Sequence, residues 1–269
     1  MMSFARIAVL GCLGLLLTGC AGSKKDRPIW ERVKITDLLP SESNEQPGIE
    51  RLKTINFDVY VFEIPAEKIG SLTDVWQMLY TKPLRFNDYE AFKANLFLAG
   101  FGQDEMFDKV NDLLRAAGAK KAETVLLLLT DGQPNDLPIA KLSGEQTVFY
   151  VSTKGSMEGV TIGPGALVLW IKADKIPGSR GVCSVKAQPV FGSPIRIPLP
   201  DSAAYEKSNE MVFTTVGFEL KMSPGDFFLL GPGKYVSNQM TLSSLFFSNR
   251  NERKAVLRTF LFVCTNIDD

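Results

Sequence analysis

The stretch TVLLLLTDGQPND, residues 124–136, contains the strongest strand signal in the chain, and a turn follows it directly. Its apolar run ends at glycine and proline, which is typical of a buried β-strand. Asp131, Gly132 and Gln133 belong to the residue types that favour tight turns, and a second apolar stretch follows. We therefore predict a hairpin of two antiparallel strands, over 123–130 and 135–142.

The triplet TDG at 130–132 also resembles the strand end that delivers a metal-binding aspartate in von Willebrand A domains. Such a site needs an Asp-x-Ser-x-Ser motif upstream, whose carboxylate and hydroxyl oxygens hold the ion. The first strand here carries DVY at 58–60, and no Asp-x-Ser-x-Ser precedes Thr130. We therefore interpret Asp131 and Asp136 as turn residues whose side chains bond nearby backbone N–H groups, and we predict neither a metal nor another cofactor.

Hydrophobic periodicity predicts the remaining elements. INFDVYVFEI at 55–64 alternates, which favours a strand with both faces partly covered. Apolar residues at helical spacing predict helices over 67–79 and 103–117, the second ending at Gly118. Further strands are predicted over 96–101, 146–152, 158–163, 166–173, 181–191, 211–222, 226–230 and 255–266, and an extended loop over 194–200. The predicted class is α+β, predominantly antiparallel β with two or three helices in the N-terminal half.

The first twenty residues resemble a bacterial lipoprotein signal peptide. Arg6 precedes an apolar stretch of eleven residues, 7–17, and LTGC at 17–20 follows. Eleven residues are too few to span a bilayer and are typical of a signal-peptide core. We predict a signal over 1–19, acylation of Cys20, a flexible tether over 20–53 and one folded domain over 54–269. Ala21 after the cysteine indicates sorting to the outer membrane, at its periplasmic face; the alternative is an ordinary secretory signal with a chance cysteine.

Two cysteines remain in the predicted domain, Cys183 and Cys264. In an oxidising periplasm they are a candidate disulfide. They are equally well explained as two small buried apolar side chains. The sequence leaves both explanations open, because it does not give the Cα separation that a bridge requires.

Composition argues against several functional classes. The chain has no histidine, which excludes Ser-His-Asp and Cys-His catalysis and any imidazole zinc site. Serine-hydrolase motifs are missing, and a glycosidase with two carboxylates is neither excluded nor favoured. The formal net charge is +0, so the charge gives no sign of a nucleic-acid partner. We predict a protein that is not an enzyme.

Six segments in collinear order resemble the C-terminal, ring-forming domain of the secretins, the outer-membrane channels of type II and III secretion and type IV pili. The segments are INFDVYVFEIPAEKIGSLTDVW at 55–76, LLRAAGAK at 113–120 with LLTDGQ at 128–133, GVTI at 159–162, SPGD at 223–226 with LLG at 229–231, MTLSSLF at 240–246 and RTFLFVCTNI at 258–267. The resemblance implies a secretin-like fold in which Asp131, Gly132, Gln133 and Gly231 lie at strand-joining turns and Leu245 belongs to a fold motif. Pro232 replaces the second glycine of the family's Gly-Gly pair.

Two functions follow as hypotheses. The first is a lipid-anchored, non-enzymatic, secretin-like envelope protein, part of or associated with a secretion- or pilus-type outer-membrane assembly. Its partners would be the membrane, through the lipid, and either further copies of the chain or secretion-system proteins. The second is a monomeric periplasmic lipoprotein that keeps the fold as a binding module without forming a channel.

Overall fold

The computed structural model describes residues 53–192, 210–249 and 255–268. In these ranges the chain is mostly antiparallel β-structure with short helices, which confirms the predicted α+β class. The predicted lipidation site Cys20, the tether before residue 53 and the predicted loop over 194–200 lie outside the described residues. The strands are β1 Thr54–Pro65, β2 Arg85–Phe86, β3 Phe97–Gly102, β4 Lys120–Thr130, β5 Pro134–Leu142, β6 Gln146–Val151, β7 Met157–Ile162, β8 Gly165–Lys175, β9 Cys183–Gly192, β10 Glu210–Val212, β11 Phe218–Met222, β12 Phe227–Pro232, β13 Ser248–Asn249 and β14 Val256–Ile267.

Four α-helices accompany the strands. They are α1 Thr73–Met78, α2 Tyr89–Ala94, α3 Phe107–Ala116 and α4 Leu242–Phe247, with 3₁₀ turns at Ala66–Leu72, Asp104–Met106 and Thr214–Val216. No helix in these ranges is both long and apolar enough to cross a bilayer.

The strands form two large sheets and one separate hairpin. Sheet A has the order β3-β12-β14-β1-β4, with β13 also beside β14. Sheet B has the order β2-β11-β9-β8-β5, with β10 also beside β9. The strands β6 and β7 pair with each other. Each of these strand pairs is antiparallel.

The two sheets share one apolar core. The Phe228 ring of β12 stacks on the Phe262 ring of β14, with centroids 4.4 Å apart and ring planes 10° apart. The Phe218 ring of β11, in the other sheet, meets Phe228 edge-on at 5.5 Å. Such aromatic pairs each contribute about 0.5–1.5 kcal/mol beyond the area they bury. The sheets therefore pack face to face as a sandwich.

Helices cover part of the other face of sheet A. Val110 and Leu114 of α3 are fully buried against strand residues that include Leu229 and Leu261. This arrangement explains why β1 alternates yet buries residues on both faces. Gly118 ends the helix as predicted, at φ +86°. The N–H of Ala119 donates to the Leu114 carbonyl at 2.9 Å, which closes a Schellman-type cap.

The predicted hairpin of β4 and β5 is wrong. β4 pairs with β1 in sheet A, whereas β5 pairs with β8 in sheet B. The turn after Thr130 joins the strands, as predicted, but it carries the chain from one sheet to the other. Turn-forming residues define a reversal only locally, and which neighbours the two strands take is decided by packing across the sandwich.

Three further predictions need correction. The strand predicted over 211–222 is two strands, β10 and β11, separated by a 3₁₀ turn, Thr214–Val216. The helix predicted over 67–79 is a 3₁₀ segment followed by α1, with the Thr73 hydroxyl donating to the Gly70 carbonyl at the junction. The C-terminal half contains a helix, α4, where only strands were predicted.

The helix α4 begins at a reciprocal cap. Thr241 accepts the Ser244 N–H, and the Ser244 hydroxyl oxygen accepts the Thr241 N–H. The helix buries Leu245, Phe246 and Phe247 in the core.

Candidate functional site

The free edge of β4 is the most distinctive surface of the sandwich. Among the described residues β4 pairs only with β1 and has no strand on its other side. The Asp131 N–H donates to the Lys53 carbonyl at 3.0 Å, which shows that odd-numbered residues turn their backbone groups towards β1. Backbone groups alternate sides along a strand, so Thr124, Leu126 and Leu128 direct theirs to the open edge. The Leu128 carbonyl accepts the Asn135 side-chain amide at 3.3 Å, in agreement with that orientation.

The same alternate residues expose large apolar side chains. Leu126 is 76% exposed and Leu128 is 61% exposed, whereas Leu127 and Leu129 are buried between the sheets. No other large apolar side chain among the residues that the structure describes is as exposed as these two. Apart from the Leu128 carbonyl, which the Asn135 amide occupies, the outward backbone groups of this edge have no strand partner in the described structure, and with the exposed leucines they form a template for another strand. We call residues 124–128 the β4 edge.

Charged residues lie at both ends of the β4 edge. Lys120, Lys121 and Glu123 precede it and Asp131 follows it, while 124–130 carries no charge. The Lys121 ammonium lies 4.8 Å from the centroid of the Tyr60 ring. Burial raises the pKa of Tyr60 above 10.0, and the nearby Asp58 carboxylate, which accepts its hydroxyl, adds to that increase. The central part of the edge is therefore free of the lysines that usually block such pairing.

The turn residues predicted from sequence lie together after β4. Gly132 adopts φ +75°, and the Gln133 N–H donates to the Thr130 carbonyl at 2.9 Å. Asp131 bonds a backbone N–H, that of Lys175, at 2.8 Å, but this partner is on β8 rather than within the turn. The turn is thus fixed to both sheets at once. Among the described residues the Asp136 side chain accepts no backbone N–H, contrary to the prediction; the backbone N–H of Asp136 donates to Asn135 Oδ1.

A basic concavity of about 520 Å³ lies beside this turn. Lys53, Lys175 and Arg180 line it together with Asp131. Its charged lining around Asp131 is cationic, and Ser179 is the one hydroxyl side chain among the residues that line it, whereas a von Willebrand-type site would supply two. No group of three metal-ligating side chains occurs in the part of the chain that the structure covers.

Gly231 and Leu245 have structural positions. A Cβ on Gly231 would lie 2.7 Å from Thr259 Cγ2 and 3.1 Å from Trp76 Cζ2. The glycine therefore lets α1 pack onto β12, and it lies within that strand instead of at the predicted turn. Leu245 is fully buried. Neither residue is available to a ligand.

The two cysteines meet between the sheets. Cys183 on β9 and Cys264 on β14 are both completely buried, and both thiols are free in this structure. Each thiol shifts the pKa of the other: the neighbouring Cys264 thiol lowers the pKa of Cys183, whereas the Cys183 thiol and burial raise the pKa of Cys264. The structure brings together this pair, for which the sequence had left two explanations open.

A second concavity lies on the outer face of sheet B. It has a volume of about 660 Å³, and Trp170, Val190 and Val212 supply its apolar lining. The Nε2 atom of Gln188, at the same site, is buried without a hydrogen-bond partner in the described structure. A buried amide donor of this kind would gain from a ligand with an acceptor atom.

Sequence reasoning missed both the exposed leucines and the Gln188 concavity. The run LLLL at 126–129 contains no residue type that separates its buried members from its exposed ones. The only available signal was strict alternation, which makes two of four adjacent leucines face outwards in any strand covered on one side. Comparison of the chain with family models, with curated proteins and with solved structures finds no match.

Proposed function

We propose that this chain is a lipid-anchored, non-enzymatic, secretin-like protein of the bacterial envelope that associates with further copies of itself through the β4 edge. The observation that carries the association is the edge of β4, which no other strand of the described residues pairs with, together with the exposure of Leu126 and Leu128. The anchor and the location derive from the sequence around Cys20.

The anchor is supported by three features that agree. Arg6, the apolar stretch over 7–17 and the small residues before Cys20 occur in the order that lipoprotein processing requires. Each buried CH₂ of an acyl chain contributes about 0.8 kcal/mol, so two or three chains hold a protein firmly at a bilayer. The tether over 20–53 would let the folded part reach its neighbours.

A second copy is the partner that best fits the β4 edge. Antiparallel pairing about a two-fold axis at Leu126 would place Thr124 opposite Leu128 of the other copy. The four leucines would then form one apolar cluster. Lys120 and Lys121 of one strand would approach Asp131 of the other, a carboxylate that lies among the cations Lys53, Lys175 and Arg180. The edge is therefore complementary to itself in shape, through the leucines, rather than in charge.

The free energy of this association is small, so attachment to the membrane is needed to favour it. Full burial of one leucine contributes about 1.5–3 kcal/mol, and four partly buried leucines contribute a few times that at most. Association costs at least about 4 kcal/mol in lost translation and rotation. A dimer in free solution would therefore be weak. Confinement to a bilayer raises the effective concentration to roughly millimolar, which favours pairing without any new contact.

The test begins with the full-length chain expressed in its bacterial envelope. We expect it in the membrane fraction, with acyl mass on the peptide that begins at Cys20, and with a native mass in mild detergent of two or more copies. A Cys20→Ala variant should lose the acyl mass and leave the membrane fraction. An unmodified wild-type chain in the soluble fraction would contradict the anchor, and a single-copy mass at high concentration would contradict the association.

The concavity on the outer face of sheet B favours a second candidate, a monomeric lipoprotein that binds a ligand. Its apolar lining around Trp170 and the Gln188 amide, which has no hydrogen-bond partner among the described residues, suit a small molecule with one acceptor group. A single-copy mass combined with ligand-dependent protection of Trp170 fluorescence, lost in Gln188→Leu, would favour this candidate over self-association.

A further inference from the structure

The backbone places Cys183 and Cys264 on either side of one short turn. Cys183 lies opposite Met222, the last residue of β11 in sheet B. The chain then crosses to sheet A through residues 223–226. The Gly225 N–H donates to the Cys264 carbonyl at 2.8 Å, and the Cys264 N–H donates to the Asp226 carbonyl at 2.9 Å. Met222 lies opposite Cys183, and Asp226 is bonded to Cys264. Only residues 223–225 separate these two partners along the chain.

Interactions within the turn over 223–226 fix its conformation. The Ser223 N–H donates to Asp226 Oδ2 at 2.7 Å, and Gly225 adopts φ +91°, a conformation that favours glycine. The two sheets are thus drawn together where the cysteines lie. Opposite Cys264 the pairing of β1 with β14 shifts register between Asn56 and Phe57, so β14 is locally irregular there.

We propose that Cys183 and Cys264 form a disulfide that staples sheet A to sheet B when the chain is exported. This inference rests on the proposed function in one respect, the oxidising compartment. The two buried thiols belong to one core cluster, and a chain without other cysteines between residues 21 and 269 offers them no competing partner.

The bond forms by thiol–disulfide exchange with the disulfide of an exported oxidoreductase. The Cys183 thiolate attacks one sulfur of that disulfide, which gives a mixed disulfide and releases the first thiol of the oxidant. Cys264 then loses its proton and attacks the Cys183 sulfur, which releases the second thiol. The pair loses two protons and two electrons, and the oxidant becomes a dithiol. Since both cysteines are fully buried in the folded chain, the exchange precedes closure of the sandwich.

The first experiment counts thiols. Full-length chain purified from the envelope without reductant is denatured, alkylated with iodoacetamide and digested. We expect one cross-linked peptide pair containing Cys183 and Cys264, two hydrogen atoms lighter than the reduced pair, and alkylation of both only after reduction. Complete alkylation of both residues without reductant would overturn the proposal.

The second experiment measures how much the disulfide raises the melting temperature. The bond would close a loop of about 80 residues, and reduction should lower the melting temperature by roughly 10 °C. The double variant Cys183→Ala with Cys264→Ala should show no change on reduction, and it serves as the matched control. An equal response to reduction in wild type and double variant would overturn the proposal.

The two experiments separate this inference from the proposed function. An acylated Cys20 with both buried thiols alkylated would refute the staple and leave the anchor intact. A cross-linked pair in a chain whose Cys20 is unmodified would refute the anchor and support the staple. The peptide map reports the modification of Cys20, Cys183 and Cys264 separately. A failure of the disulfide is therefore distinguishable from a failure of the lipid anchor.

Discussion

Replacing the two exposed leucines of the β4 edge should weaken self-association without weakening the fold. We consider the double variant Leu126→Ser with Leu128→Ser. These side chains are 76% and 61% exposed in the single chain, so their removal exposes nothing new. We expect the free energy of unfolding to change by no more than about 0.5 kcal/mol per site, the usual range for surface substitutions.

The loss of association can be worked from the same exposures. If pairing covers half of the exposed surface of four leucines, it buries the equivalent of roughly 1.4 leucine side chains, or about 2–4 kcal/mol. Each 1.4 kcal/mol is a factor of ten in affinity, so the dimer should dissociate about 30- to 700-fold more readily. Sedimentation equilibrium of the full-length chain in density-matched detergent measures this constant directly.

Two further variants make the assay decisive. Met157→Ser removes a side chain that is 58% exposed on β7, away from the β4 edge, and should leave association unchanged. Thr124→Pro keeps both leucines but removes an N–H that faces the open edge, and it should weaken association through the backbone alone. If neither the leucine variant nor Thr124→Pro changes the dissociation constant, β4 is not the interface and the reasoning fails.

Three other predictions test the fold around the site. Gly231→Ala should cost about 1–3 kcal/mol of unfolding free energy in a denaturant titration, since its Cβ would meet Thr259 Cγ2 at 2.7 Å; no change would contradict the packing of β12. Asn95→Ala should lower the free energy of unfolding by about 2–4 kcal/mol. This buried side chain donates to the carbonyls of Ala91 and Val151 and accepts the Val151 N–H. A loss below the error of the titration would show that these bonds do not form. Burial raises the pKa of Asp226 above 3.8, and the Glu105 and Asp104 carboxylates add to that increase. Folding therefore favours the protonated acid, and this contribution to stability is lost as the pH rises through the raised pKa. Asp226→Asn should lack this loss in melting curves from about pH 3.5 to 7, and parallel profiles of the two proteins would refute it.

Local periodicity predicts the strands of this fold well. β1, β3, β12 and β14 each lie within two residues of their predicted ranges, because an alternating or continuous apolar run has few structural alternatives. The same rules misassign the short helices α2 and α4. Each is six residues long, too short for a helical period to stand out.

Partners across the sandwich are not contained in local sequence. The turn at 131–133 predicts a reversal, yet β4 and β5 join different sheets because each finds a better neighbour far along the chain. The contact between Cys183 and Cys264 depends likewise on the turn over 223–226, which no spacing rule reveals. Leu126 and Leu128 differ from the buried Leu127 and Leu129 only in the face of the strand on which they lie. Sequence therefore indicates which residues could matter, and the pairing of strands decides which of them meet.

Photo-crosslinking from position 126 in intact cells tests the central claim most directly. A photoreactive phenylalanine analogue replaces Leu126 in the full-length chain, and the same analogue at Met157 provides the control. We expect a product of two identical chains from position 126, absent from position 157 and lost when Cys20 is replaced by alanine. Crosslinks from position 126 only to other proteins, or none at all from a membrane-bound chain, would contradict it.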